Sequence, residues 1–253
     1  MKQFVNFLSF AFIVCIGFCS CQKPVSINTG TIKITFVNKV KGSPLTLNTQ
    51  PYTNPFDETY TVSKFKYYIS NVILHGPGDS AAEDDSYHLV DESIEDSRSF
   101  HFETAVNTFS NLQFILGVDS ARNVSGAQTG ALDPLNDMFW TWNSGYVMAK
   151  MEGNSPESNQ AGGKIEYHIG GFSGPQNVLK TITLNFPAGK LANIKVGEVS
   201  EIIIEADLDS WWQSPHDIKI VDLPVCTTPG ILAKNVADNY SKMFTITDVR
   251  NNK

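Results

Sequence analysis

The sequence predicts an all-β fold: an antiparallel β-sandwich of the immunoglobulin-like or Greek-key type, with one short C-terminal helix. Three observations carry the expectation. Short runs rich in β-branched and aromatic residues recur, separated by turn signals roughly every ten to fifteen residues. No strand pattern alternates with a helical one, as a parallel sheet would need. No fixed-period repeat or internal linker divides the chain, so residues 31–253 read as one sandwich domain behind a leader at 1–21 and a tether at 22–30.

Met1-Lys2 gives a short basic start, and Phe4 to Phe18 is an almost unbroken apolar run, short for a membrane span. It ends in Gly17-Phe18-Cys19-Ser20-Cys21-Gln22, which resembles a relaxed bacterial lipobox. Cys21 is the expected lipidation site, because a small residue precedes it and the chain turns polar after it; Cys19 is the poorer alternative. Acylated Cys21 would hold the protein at the cell envelope, on the periplasmic or surface face of the outer membrane. The lipid is then its sole membrane contact, each buried methylene contributing roughly 0.8 kcal/mol. The competing expectation is a cleaved, soluble secretory protein.

Cys15 and Cys19 leave with the leader and Cys21 carries lipid, so Cys226 has no partner for an internal disulfide. Stability must come from the core, and roughly 230 residues are enough to build one. They hold 18 basic and 26 acidic residues, a net charge of −8, with no Lys/Arg cluster. That balance argues against nucleic acid as a partner.

Thr31 to Val37 alternates cleanly and places Ile32, Ile34 and Phe36 on one face of a first strand. A loop rich in Gly, Pro and Asn runs from Gly42-Ser43-Pro44 to Asn54-Pro55. Thr59 to Val62 reads as a short strand and Phe65 to Leu74 as a longer one. Gly76 opens an acidic loop to Asp85, Tyr87 to Val90 resumes extended structure, and Ser99 to Glu103 follows a charged, exposed stretch. Leu112 to Val118 is a buried strand, and Asp119 to Gly130 a small, polar loop. Beyond a second loop at Gly153–Gly163, Lys164 to Ile169 turns Ile165, Tyr167 and Ile169 inward and Glu166 and His168 outward. Thr181 to Phe186 and Glu201 to Leu208 repeat the strand pattern. Ile231, Ala233, Val236, Ala237 and Tyr240 fit helical spacing, so Ile231 to Met243 is the one expected helix, with Phe244 to Val249 a last strand.

The chain is organised around Leu132 to Gly153, which gathers two tryptophans, Phe139, Tyr146 and three methionines. Asp133-Pro134 and Asn136-Asp137 are turn formers, so the segment begins as a loop. From Phe139 the composition suits a strand. If extended, it sets Trp140, Trp142, Tyr146 and Met148 on one face, unless Asn143-Ser144-Gly145 bulges and shifts the phase. The plain reading packs the paired tryptophans into a sandwich core; the chemical one holds an indole beside a polar site.

Familiar catalytic motifs are absent: no G-x-S-x-G, H-E-x-x-H, phosphate-binding glycine loop or C-x-x-C. His75, His88, His101, His168 and His216 show no metal-motif spacing. His168 stands out, on the non-core phase of its strand beside Glu166 and before Gly170-Gly171. Thioethers at Met138, Met148, Met151 and Met243 fill cores, yet with imidazoles they suit Cu(I) better than magnesium or calcium. Asp119, Asp133 and Asp137 are oxygen donors for a structural calcium ion, or simply turn formers.

The string Gly126-Ala127-Gln128-Thr129-Gly130-Ala131-Leu132-Asp133-Pro134 is followed by Met138-Phe139-Trp140-Thr141-Trp142-Asn143-Ser144-Gly145-Tyr146 and Glu152-Gly153. With Phe65 to Asn71, Gly117-Val118-Asp119, His168-Ile169-Gly170-Gly171 and Ala237-Asp238-Asn239-Tyr240, it resembles the MbnP-like copper-binding protein family across nearly the whole mature chain. The lipobox is similar to those of Bacteroidetes lipoproteins. The resemblance implies a secreted, β-rich copper-binding protein, Cu(I) favoured, that is not itself an enzyme. It also implies a di-haem partner resembling cytochrome c peroxidase, and a tryptophan oxidised to kynurenine whose aniline nitrogen joins histidine at copper.

Carried onto this chain, those roles fall on Trp140 or Trp142, Trp140 favoured, and on His168. Val124 stands where relatives often have a histidine, which leaves His88, His101 or His216 to complete the set. The alternative function is a metal-free cell-surface interaction domain on the same sandwich.

Overall fold

In a computed structural model that describes residues 28–142 and 145–251, β1 (Thr29–Val40) alternates half-buried and buried residues along its whole length. That is the pattern of a strand with one face on a core. The chain continues through β2 (Thr59–His75), β3 (Ser80–Asp91), β4 (Ser99–Ala105) and β5 (Asn111–Leu116). A four-residue helix, α1 (Ser120–Asn123), leads to β6 (Phe139–Trp140) and β7 (Gly145–Asn154). Then come β8 (Lys164–Gly170), β9 (Lys180–Asn185), β10 (Val199–Asp207), α2 (Ile231–Tyr240) and β11 (Phe244–Asn251). The expected leader and the Cys21 lipidation site lie outside the described residues.

The fold is all-β with a short C-terminal helix, in two large sheets beside a two-stranded pairing of Thr108–Phe109 with Ala192–Asn193. One sheet runs β11-β10-β1-β4. The other is built on β2: β7 and then β5 follow along one edge, and β3 takes the other. β8 extends outward from β7, and β9 from β5. Pairing is antiparallel with two exceptions, the parallel β1–β10 ladder with Ile34 opposite Ile202 and the short pairing of Val225–Cys226 with β8. Parallel neighbours need a long crossover, and here the chain between β1 and β10 builds the second sheet on the way.

Aromatic side chains fill the space between the sheets. Phe36 meets Tyr67, Phe114 and Phe244 edge-on at 5.9, 6.4 and 6.2 Å, the geometry that aromatic quadrupoles favour. Trp211 and Trp212 are both fully buried against Tyr240, Phe65, Tyr60 and Tyr167. The core-filling tryptophan pair is therefore Trp211–Trp212.

Several boundaries differ from the sequence expectation, and a second helix, α1, lies inside the Asp119–Gly130 stretch expected to be a loop, where Asp119 caps it. The runs Thr59–Val62 and Phe65–Leu74 are one strand, because the pairing with β7 bulges at Ser63 and then resumes on both sides of it. β3 starts at Ser80, so much of the acidic loop is an edge strand whose exposed charges discourage further pairing. α2 ends at Tyr240, three residues early, because Met243 N–H closes a turn on the Tyr240 carbonyl and Phe244 already pairs with Ala206.

Candidate metal centre

The tryptophan segment is a hairpin, not one extended strand. β6 folds back on β7, pairing Trp140 with Gly145 and Phe139 with Tyr146. The reversal removes the expected common face for Trp140, Trp142, Tyr146 and Met148. Trp140 is 7% exposed and Trp142 is 61% exposed, with ring centres 5.3 Å apart and planes tilted by 40°. Trp142 thus lies on the solvent side of Trp140. A cavity of about 290 Å³ opens beside Trp140, bounded by Tyr146, Phe172, Gln176 and Pro229.

On β8, Ile165, Tyr167 and Ile169 are buried in the core, and Glu166 and His168 face the other way, as their alternation requires. On that outer face the Trp140 indole lies against Gly170. A side chain at residue 170 would meet Trp140 Cζ3 at 2.5 Å and Cη2 at 2.6 Å. Residues 168 and 170 share a face of β8, so the indole is seated two residues, roughly 7 Å of strand, from His168.

The segment between β5 and β6 crosses the same face and is pinned from beneath. Tyr68 and Tyr146 donate their hydroxyls to the carbonyls of Ala131 and Leu132 at 3.0 and 2.8 Å. Lys66 Nζ donates to Asn136 O at 3.2 Å and pairs with buried Asp91 at 2.8 Å. Buried Lys150 donates to the carbonyl of Asp137 and pairs with its carboxylate at 3.0 Å. Burial opposes charge on both members: it lowers the Lys150 pKa below the usual lysine range, whereas Lys64 and Lys150 outweigh it at Asp137 and hold that carboxyl at about 2. Asn123, also buried, donates to the Asp119 carbonyl at 3.0 Å and accepts Tyr146 N–H at 2.9 Å, tying α1 to β7.

Beside this lattice, His168 Nε2 lies 2.9 Å from Glu152 Oε1. The His168 hydrogen bond, with help from Lys64 and against burial, holds the Glu152 carboxyl at about 2. Glu152 Oε2 is also 3.3 Å from Lys64 Nζ, and Glu166 pairs with Lys164 at 2.6 Å. Ligand atoms of Glu152, Glu166 and His168 lie within 4.8 Å of one another, and this is the metal-competent group found among the described residues. Glu152 was hidden in the sequence because its partner is across a strand pair; the signal available was its place two residues from Lys150 on one strand face.

The other expected ligands lie elsewhere. His88 sits on β3, separated from β8 by β2 and β7, with its ring stacked on Phe100 at 3.5 Å and its Nε2 2.9 Å from Glu83. Three strand spacings are roughly 14 Å, so His88 does not complete the His168 set. His101 pairs opposite Lys33 in the other sheet, and His216 Nε2 is 3.4 Å from Asp238. Val124 is exposed at the end of α1. Met138, Met148, Met151 and Met243 are buried, and Met148 Sδ already accepts the Val118 N–H at 3.2 Å.

The three aspartates considered for calcium are each engaged separately. Asp119 caps α1 and accepts the Tyr87 hydroxyl, Asp133 accepts Leu135 N–H, and Asp137 pairs with two lysines. They form no common ligand group among the described residues. For copper, His168 offers one imidazole nitrogen and its neighbours offer carboxylate oxygens, a set that suits Cu(II). A soft Cu(I) ion would need softer nitrogen or sulfur donors than the two carboxylates supply.

The MbnP family model matches residues 29–228. A comparison with curated proteins gives no match. Among solved structures, MbnP from Methylosinus trichosporium is similar at 12% identity and a TM-score of 0.48, covering 89% of this chain and 99% of its own. Since the model spans 200 of the 253 residues, this chain belongs to the MbnP family.

Proposed function

We propose that this protein is a lipid-anchored copper-binding protein of the cell envelope. In this reading Trp140 is oxidised to kynurenine by a partner di-haem protein of the cytochrome c peroxidase type, and the new aniline nitrogen joins His168 at copper. The observation that carries the reading is the seating of Trp140 against Gly170, on the face and strand that hold His168. The chain is a recipient of the oxidation and not an enzyme. Trp142, packed at a tilt outside Trp140 and largely exposed, gives a partner access to the pair.

Mass spectrometry of protein from its own host, with peptide mapping across Phe139–Lys150, tests the modification. Copper content of wild type and His168→Ala tests the ligand. Intact tryptophans together with unchanged copper in the variant would overturn the reading. That result would favour the alternative, a metal-free interaction domain, to which exposed Val124, Leu135 and Trp142 would each contribute apolar surface. Anchoring is tested by Cys21→Ser, which should leave the membrane fraction; release by Cys19→Ser alone would move the lipidation site.

A further inference from the structure

Glu152 and Glu166 stand directly opposite one another on β7 and β8. Like charges so placed weaken a sheet unless cations compensate them. His168 follows two residues along β8, and one ligand atom of each residue lies within 4.8 Å of the other two. Donors bound to one small divalent ion at roughly 2.0–2.2 Å stand about 3 to 4.4 Å apart. Rotamer changes on two paired strands therefore close the set without moving the backbone.

We infer that Glu152, Glu166 and His168 form a site for a divalent transition ion, Cu(II) or Zn(II), that operates while both tryptophans are intact. The inference shares His168 with the copper reading but rests on neither the tryptophan oxidation nor Cu(I). One imidazole with two carboxylates is a borderline nitrogen–oxygen set, too hard for Cu(I) and too nitrogen-rich for calcium or magnesium, which prefer all-oxygen cages.

The compensating cations identify what the ion must displace. Lys164 reaches Glu166 at 2.6 Å and Lys64 reaches Glu152 at 3.3 Å, with side chains 53% and 42% exposed. Lys164 can swing into water and Lys64 keeps Asp137 at 2.9 Å when it leaves Glu152, so each occupies its carboxylate in the way an ion would and is exchangeable for it. Lys150 is different: it is buried, held by Asp137, and remains 4.0 Å from Glu152. Three protein donors leave a position open for water or a further ligand.

The test uses purified protein with both tryptophans confirmed intact by mass, titrated with Zn(II) alone and with Cu(II) alone by calorimetry. The expected result is one equivalent bound, with a Cu(II) resonance spectrum carrying hyperfine from a single imidazole nitrogen. Glu166→Gln should weaken both metals by at least about tenfold, with its melting temperature as the control for folding. Lys164→Ala removes only an exposed competitor and should tighten binding severalfold. Absence of one-to-one binding overturns the inference, as do affinities unchanged in both variants. The copper reading is decided separately, by Cu(I) in host-modified protein. Modified Glu166→Gln that keeps Cu(I) while losing Zn(II) supports both; unmodified wild type indifferent to both divalent ions sinks this inference whatever Cu(I) does.

Discussion

The indole of Trp140 fills the space above Gly170 that any other residue's side chain would need. This one contact places an aromatic ring beside His168 and fixes how far the β6–β7 hairpin can descend onto β8. Replacing Gly170 with Ala would drive a methyl group into Trp140 Cζ3 and Cη2, and toward the Tyr146 carbonyl at 3.0 Å. The expected outcome is a loss of about 1–3 kcal/mol, typical of overpacking, with red-shifted, more quenchable tryptophan emission. Unchanged stability together with unchanged emission would show that the indole does not rest there.

The strand alternation was the legible part of this chain. Ile32, Ile34 and Phe36 on β1 and Ile202 and Ile204 on β10 are buried as their spacing demands, because a local period of two reports directly on which face is wet. The face shared by the two tryptophans is not legible because Trp140 pairs back on Gly145, and turn-forming residues suit a bulge as well as a reversal. His168 was visible as an outward imidazole, but Glu152 reaches it through the β7–β8 register, which no local pattern encodes. His88 was equally eligible by type; its stacking on Phe100 depends on how two sheets meet. Trp211–Trp212 took the core role because a short turn of 3-10 helix carries both inward.

Ile204 tests the register of β10. It is fully buried, while its neighbour Ile203 is only half-buried. Ile204→Ala should cost about 2–5 kcal/mol in chemical denaturation, and Ile203→Ala distinctly less. A larger loss for Ile203→Ala than for Ile204→Ala would mean that β10 is slipped by one residue, since a slip exchanges the two faces.

Cys226 is buried, and burial pushes its thiol up to about 11. The reactive thiolate is therefore scarce at neutral pH. Folded mature protein should react slowly with a thiol reagent and release one equivalent on denaturation, with a melting temperature indifferent to reductant. Rapid labelling of the folded chain would place this sulfur at the surface.

Asp137 has a left-handed backbone, φ 61°, and its carboxylate joins Lys64 at 2.9 Å and buried Lys150 at 3.0 Å. Its folded pKa of about 2 lies below the ordinary aspartate value near 3.9. A depressed carboxyl stabilises the fold above the unfolded value and loses that contribution as pH falls through the folded one. Asp238, held at about 2 by Lys180 and Lys234 against its burial, contributes in the same sense. Wild type should therefore lose stability between about pH 4 and pH 2. Asp137→Asn keeps the size and tolerates the left-handed backbone, so it isolates the charge. At pH 7 it should cost about 1–2 kcal/mol, since the carboxylate is over half exposed but its loss leaves buried Lys150 with Glu152, 4.0 Å away, as its remaining anion. Toward pH 2 the difference should shrink to a small remainder, because wild-type Asp137 is then about half neutral. Adding Lys150→Met should recover part of the loss at pH 7 by removing the stranded charge. A penalty for Asp137→Asn that is the same at pH 2 and pH 7 would mean the carboxylate shapes the turn and does not anchor the lysine.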